Sequence, residues 1–133
     1  MRYGRGMSQK PILVLTTGGT IDKNYFDALS EYQIVDSGIP ALLKEARVAL
    51  PLRVVELMRK DSLELTQADR ALIAAAARAA PESRIVITHG TDTMTETAKV
   101  LAAEVPGKTV VLTGALSPAR FAETDAPFNL GMA

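Results

Sequence analysis

Four short apolar runs recur along this chain, each followed by a turn and then by a helical pattern. They are Pro11–Thr16, Leu52–Met58, Arg84–Thr88 and Lys108–Thr113. Their apolar residues are largely consecutive rather than alternating. That pattern reads as strands buried on both faces, the condition of a parallel sheet covered by helices. Between the first two runs, Ile39 to Leu50 carries Leu42, Leu43, Ala46 and Ala49 on one stripe, with Lys44, Glu45 and Arg47 outside it. Thr66 offers an N-cap and Asp69 a first-turn acid to an alanine-rich helix that reaches Ala80 and stops at Pro81. Thr91 or Asp92 can cap a third helix through Met94, Ala98, Leu101 and Ala102 to about Val105, with Pro106-Gly107 as its stop. Ala115 to Pro127 reads as a loop, and Phe128 to Ala133 as the first turns of a further helix. The alternation predicts an α/β fold: a three-layer sandwich on a mostly parallel, Rossmann-like sheet of four to five strands joined by right-handed crossovers.

Length and composition narrow the function. With 133 residues and 47% apolar content, one domain can bury a core without covalent staples. Residues 1–9 read as a flexible lead-in and 10–133 as a single domain. The absence of Cys excludes a thiol nucleophile, a disulfide framework and a Cys-rich zinc site, and one His has no ligand company. Fifteen basic residues balance fifteen acidic ones, so no net field favours nucleic acid. No apolar stretch approaches the length of a membrane span or a signal-peptide core, so the expected setting is the cytoplasm, without membrane contact.

Two threonine-glycine segments carry the chemistry: Thr16-Thr17-Gly18-Gly19-Thr20-Ile21 and His89-Gly90-Thr91-Asp92-Thr93-Met94. Each follows a strand, where a parallel sheet places its ligand-binding loops. Gly18-Gly19 lets the backbone turn tightly and approach a ligand, and Thr20 then projects a hydroxyl from the turn. The segment lacks the Lys of a P-loop and the third Gly of a dinucleotide fingerprint. Two accounts of these hydroxyls stand: they satisfy backbone groups in a turn, or they face a small polar ligand. Thr91 and Asp92 likewise can cap a helix, bind an anion with backbone N–H groups, or hold an ammonium through Asp92. His89 reads as a hydrogen-bonded turn residue rather than a base.

Together these segments resemble the two signatures of bacterial-type L-asparaginases. Leu112-Thr113-Gly114-Ala115 and Asp125-Ala126-Pro127-Phe128-Asn129-Leu130 are similar to the strand, loop and helix start after the family's second signature. Asp61-Ser62 resembles its substrate-contacting segment after the second strand. The landmarks keep their order across nearly all of residues 11–133. The resemblance implies an amidohydrolase with no metal or cofactor, converting L-asparagine to L-aspartate and ammonia through a threonine acyl-enzyme. It makes Thr20 the nucleophile and Tyr25, with Tyr32 as the competing candidate, the tyrosine that helps activate it. Thr91 becomes the second active-site threonine, its hydroxyl and N–H serving the oxyanion or the attacking water. Asp92 holds the substrate's α-amino group and Ser62 its α-carboxylate, with Gly19, Asp61 and Gly90 lining the same site.

The chain also departs from that family. Family members are more than twice this long and add a smaller second α/β domain, which these residues do not include. They carry a lysine on the helix after the Asn-Leu segment, and none falls between Phe128 and Ala133; Lys99 lies on the preceding helix. Position 63 is Leu where many relatives are polar. A homo-oligomer is expected, because a short sheet with apolar helices needs covering. The alternative to an enzyme is a module that binds aspartate or asparagine without turning it over.

Overall fold

The computed structural model describes residues 10–26, 31–34, 38–119 and 123–133, and for 23–26, 31–34 and 45 it describes the backbone. The four apolar runs form one sheet from β1 (Ile12–Gly18), β4 (Leu52–Lys60), β5 (Arg84–Thr88) and β6 (Thr109–Thr113). Its order is β4-β1-β5-β6, and every pairing is parallel. The helices are α1 (Ile39–Glu45), α2 (Gln67–Ala79), α3 (Met94–Glu104) and α4 (Ala126–Met132). Two strands, β2 (Lys23–Phe26) and β3 (Glu31–Ile34), make a separate antiparallel hairpin.

The apolar runs are continuous because both faces of the sheet are covered. Leu13, Leu15, Ile85 and Ile87 pack on one side against Ile73, Ala74 and Ala77 of α2 and Leu101 of α3. Val14 and Val86 point the other way, into a cluster with Ile21, Ile39 of α1, Ala115 and Ala126 of α4. Each fully buried Leu or Ile contributes about 1.5–3 kcal/mol relative to leaving it in water. The result is the expected three-layer sandwich, with four strands and no antiparallel member in the main sheet.

The strand order fixes where a ligand can sit. From β1 the chain crosses outward to β4, then returns past β1 to β5 and continues to β6. The direction reverses between β1 and β5, so the connections leaving those strands diverge. A crevice opens outside their carboxyl ends, the place where open parallel sheets bind ligands. Gly18-Gly19 and His89-Gly90 both stand at that edge.

Several local expectations are corrected. Thr66 caps α2 as read: its hydroxyl accepts Asp69 N–H at 3.1 Å, and the Asp69 carboxylate accepts Thr66 N–H at 2.9 Å. Helix α1 ends at Glu45 rather than near Leu50, since Arg47 takes a left-handed φ of 53° that a helix cannot continue through. Helix α3 starts at Met94 with Thr93 in the N-cap position, so neither Thr91 nor Asp92 is its cap. Ala102 is exposed, and the buried stripe of α3 is Thr97 with Leu101. Helix α4 begins at Ala126, two residues early, because Pro127 fits a first helical turn. Segment 23–26, for which the sequence predicted no strand, pairs as a strand with 31–34. The lead-in expected at residues 1–9 lies outside the described residues. Among the described residues no helix is long and apolar enough to cross a membrane.

Candidate active site

Four strand-to-loop junctions meet at the carboxyl edge of the sheet, and glycines let them meet. Gly18 and Gly19 have φ of 102° and 84°, in the region that L side chains avoid. A Cβ on Gly19 would fall 2.5 Å from Gly90 N and 2.7 Å from Gly90 Cα. One on Gly18 would fall 2.5 Å from Lys60 N, and one on Gly90 would fall 2.7 Å from Ser62 Oγ. A Cβ on Gly114 would collide with the His89 carbonyl oxygen. Gly19 N–H donates to Lys60 O at 3.0 Å, tying the loop after β1 to the end of β4. The backbones after β1, β4, β5 and β6 therefore touch.

On the first loop the hydroxyls divide. Thr17 is buried and donates to Thr88 O at 2.7 Å, the backbone-satisfying role. Thr16 and Thr88 stand opposite each other in register, both buried, and neither hydroxyl has a partner among the described residues. Thr20 is half-buried and opens a 3-10 turn, Thr20–Asp22, at the crevice. Asp22 is buried, and its carboxylate accepts Gly38 N–H at 3.1 Å ahead of α1. That bond anchors the Thr20 turn to the helix layer.

On the second loop Thr91 and Asp92 are exposed, directly after the Gly19–Gly90 contact. Thr93 binds this loop to the segment after β4: its hydroxyl donates to Ser62 O at 2.8 Å, and its N–H donates to Ser62 Oγ at 3.3 Å. Ser62 is buried, in the 3-10 turn that Asp61 precedes. His89 is fully buried, with Nδ1 2.6 Å from Gly90 O and Nε2 2.8 Å from Thr97 Oγ1. Burial is the main force holding its pKa below the usual value; the Gly90 carbonyl opposes that and the Arg70 charge adds to it. The imidazole is a neutral, fully bonded turn residue, as the sequence suggested.

The loop after β6 is organised by Asp125. Its carboxylate accepts Leu116 N–H and Ser117 N–H, each with an oxygen at 2.9 Å, and Asn129 Nδ2 at 2.9 Å. Those backbone bonds, the Leu116 one first, hold its pKa below the ordinary carboxylate range. Asn129 Nδ2 also donates to Gly114 O at 2.9 Å, which fixes the glycine beneath His89.

The structure thus brings Gly19, Gly90 and Ser62 into backbone contact, with Thr20, Thr91, Asp92 and Asp61 on the same edge. Tyr25 stands opposite Tyr32 in the hairpin register, and both side chains lie outside the described residues. Sequence reasoning missed Arg70, Thr93, Thr97 and Asp125. Arg70 left a signal, a cation on the same helical stripe as Ile73, Ala74 and Ala77. Among the described residues no three of His, Asp and Glu converge as a metal site. A cavity of about 210 Å³ lies elsewhere, between α1, α4 and the sheet, lined by apolar residues that include Ile12, Leu42, Val86 and Leu130.

Comparison with known proteins agrees with this geometry. Residues 11–133 match the family model for the asparaginase N-terminal domain. The chain is 34% identical over 126 residues to a probable periplasmic L-asparaginase of Haemophilus influenzae, covering 90% of this chain and 36% of that protein. The solved structure of the thermostable L-asparaginase from Thermococcus kodakarensis superposes with a TM-score of 0.78 at 32% identity, over 90% of this chain and 38% of that one. A probable cytoplasmic L-asparaginase from Campylobacter jejuni gives a TM-score of 0.78 at 31% identity, over 92% and 40%. The chain therefore spans two fifths or less of the length of these relatives. In sequence and in fold, the chain belongs to the asparaginase family and corresponds to that family's N-terminal domain.

Proposed function

We propose that the chain is an amidohydrolase acting on L-asparagine, with Thr20 as nucleophile. The observation that supports it most is the Gly19–Gly90 backbone contact. Thr20 follows Gly19 and Thr91-Asp92 follow Gly90, so the contact supports one shared site at the reversal point of a parallel sheet. In this reading Thr20 Oγ attacks the side-chain amide carbon and gives its proton to a neighbouring base, the role proposed for Tyr25. The oxyanion is received by Thr91 N–H and hydroxyl; the base returns the proton to the amide nitrogen, and collapse then expels ammonia to leave an ester on Thr20. Water then cleaves the ester, giving L-aspartate and free Thr20. A threonine hydroxyl needs its proton removed to react, and fixed donors at the oxyanion supply much of the acceleration. Asp92, exposed at the rim, is proposed for the α-ammonium. Ser62 is proposed for the α-carboxylate; its oxygen already accepts Thr93 N–H, so the group it offers is its O–H.

The test is ammonia release from L-asparagine. Thr20→Ala is expected to lose activity by about a thousandfold or more while melting like the wild type. Thr91→Val serves as a second variant against a contaminating amidase. Ammonia production unchanged in Thr20→Ala refutes the nucleophile. Wild-type protein that binds aspartate but releases no ammonia refutes the enzyme reading.

Two further readings belong with it. Phe128 and Met132 lie one turn apart on α4 and are 71% and 73% exposed, with Leu116 80% exposed nearby in sequence. Covering such a face favours self-association, and a monomer by light scattering at assay concentration would refute it. The compartment proposed is the cytoplasm, named for the Campylobacter relative, whereas the Haemophilus relative is named periplasmic. Fractionation of the native cells decides it.

A further inference from the structure

We propose that Arg70, Thr97 and His89 are positioning residues that fix the Gly90–Thr91 peptide, and with it the direction of the Thr91 N–H. The inference rests on the asparaginase reading, which gives that N–H its role at the oxyanion.

With a neutral imidazole, the chain of bonds has one arrangement of protons. A carbonyl oxygen only accepts, so His89 Nδ1 carries a proton and donates it to Gly90 O across 2.6 Å. A guanidinium only donates, so Arg70 Nε–H is given to Thr97 Oγ1 at 3.1 Å. Thr97 keeps one proton to give, and the bare Nε2 of a neutral imidazole receives it at 2.8 Å. Every donor points the same way, from α2 through α3 to the loop.

Both ends of this chain are held. Arg70 is 4% exposed, and its Nη1 donates to Leu65 O at 3.3 Å and Gln67 Oε1 at 3.0 Å. Its Nη2 pairs with Glu96 at 3.3 Å. Thr97 and His89 are fully buried. At the far end, the C=O and N–H of a trans peptide point in opposite directions. Pinning Gly90 O onto the imidazole therefore turns Thr91 N–H away from the ring. Thr91 is exposed, and its N–H has no partner among the described residues. A donor aimed before substrate arrives needs no reorganisation during reaction, which is what makes an oxyanion donor effective.

The chain holds a single histidine, so ¹⁵N-histidine labelling of the full chain gives one imidazole to read. The expected spectrum shows the proton on Nδ1 and a bare Nε2, and Thr97→Val shifts that balance toward Nε2–H. In ammonia assays Thr97→Val and His89→Leu are expected to lower kcat about tenfold or more, with KM changed less than about twofold. Thr97→Ser keeps the hydroxyl and His89→Asn keeps a donor for Gly90 O, so each recovers most of the rate. An Nε2-protonated wild type, or Thr97→Val at wild-type kcat, overturns the proposal. Should His89→Leu fail to fold, the wild-type spectrum and the Thr97 pair still decide. A wild type that releases no ammonia refutes the asparaginase reading alone, since the tautomer and its response to Thr97→Val remain to be read.

Discussion

The two loops that meet at the working edge of the sheet are held by opposite means. The Thr20 loop is shaped by its backbone. Gly18 and Gly19 take positive φ, Gly19 N–H bonds to Lys60 O, and Gly19 lies directly on Gly90. The His89–Thr93 loop is held by side chains: His89 and its bonds to Thr97 and Arg70 from beneath, and Thr93 to Ser62 from the side. The first loop fails when atoms are added at its glycines; the second is open to the same insult at Gly90 but also fails when its side-chain hydrogen bonds are removed. A shared site built this way has two independent weaknesses, and substitutions can address them separately.

The largest effect is expected from Gly19→Ala. The new Cβ would meet Gly90 backbone atoms at 2.5 and 2.7 Å, which cannot swing aside as a side chain could. Left-handed strain of about 1–2 kcal/mol adds to overpacking of about 1–3 kcal/mol. Urea unfolding should therefore show a loss of about 2–5 kcal/mol, with ammonia release lost as well. Stability within about 0.5 kcal/mol of wild type would show that the backbone contact does not shape the first loop.

Gly90→Ala comes next. It carries no left-handed strain, and its nearest neighbours are Ser62 Oγ at 2.7 Å, Cβ at 2.8 Å and N at 3.0 Å. Overpacking alone predicts a loss of about 1–3 kcal/mol. Ser62→Gly removes two of those three atoms, so the double variant should recover part of the loss, a coupling that a double-mutant cycle measures. Additive losses would mean that the Ser62 side chain is not what the new Cβ meets.

Most of the framework was legible in the sequence because it rests on periodicity. Short runs of consecutive apolar residues such as Leu13-Val14-Leu15 and Ile85-Val86-Ile87, rich in β-branched residues and bounded by turns, read as strands covered on both faces, and they are. Thr66 and Asp69 form the capping box that their spacing suggests. What escaped depends on tertiary partners. Lys23-Asn24-Tyr25-Phe26 has no alternating pattern, and its strand character comes from pairing with 31–34. Thr93 stands at the N-cap of α3 without a side-chain cap, its hydroxyl donating instead to Ser62 O, 31 positions away. The glycine loops were visible as loops, but their contact was not. It depends on the strand order, which sets β1 beside β5. Of the Arg70–Thr97–His89 chain, His89 was legible as a hydrogen-bonded turn residue and Arg70 as a cation on an apolar stripe, but Thr97 and the connection between them were not.

The smallest effect separates the loops by pH. His89 has a folded pKa held below 6.5, chiefly by burial, with Arg70 on α2 as the nearby charge and Glu96 of α3 paired to that arginine. A depressed pKa contributes stability that is present above pH 6.5 and is lost as pH falls through the folded value, because the unfolded chain takes up the proton first. Asp69, Glu82 and Asp125 are also depressed, but from ordinary values of 3.8, 4.5 and 3.8, with Glu82 drawn to about 2 chiefly by its hydrogen bond from Arg53. Their losses begin within about a pH unit of those values and fall mostly below pH 5. Between pH 7 and pH 5 the wild type should therefore lose at most about 2 kcal/mol, and the single histidine should account for it. His89→Asn should flatten that interval while keeping the acid limb below pH 4.5. Gly19→Ala should lower the whole curve and keep the wild-type slope, since its damage is steric. A wild-type curve already flat from pH 7 to pH 5 would mean that protonation costs the imidazole nothing. The second loop would then not be held by a neutral His89, and the contrast between the two loops would collapse.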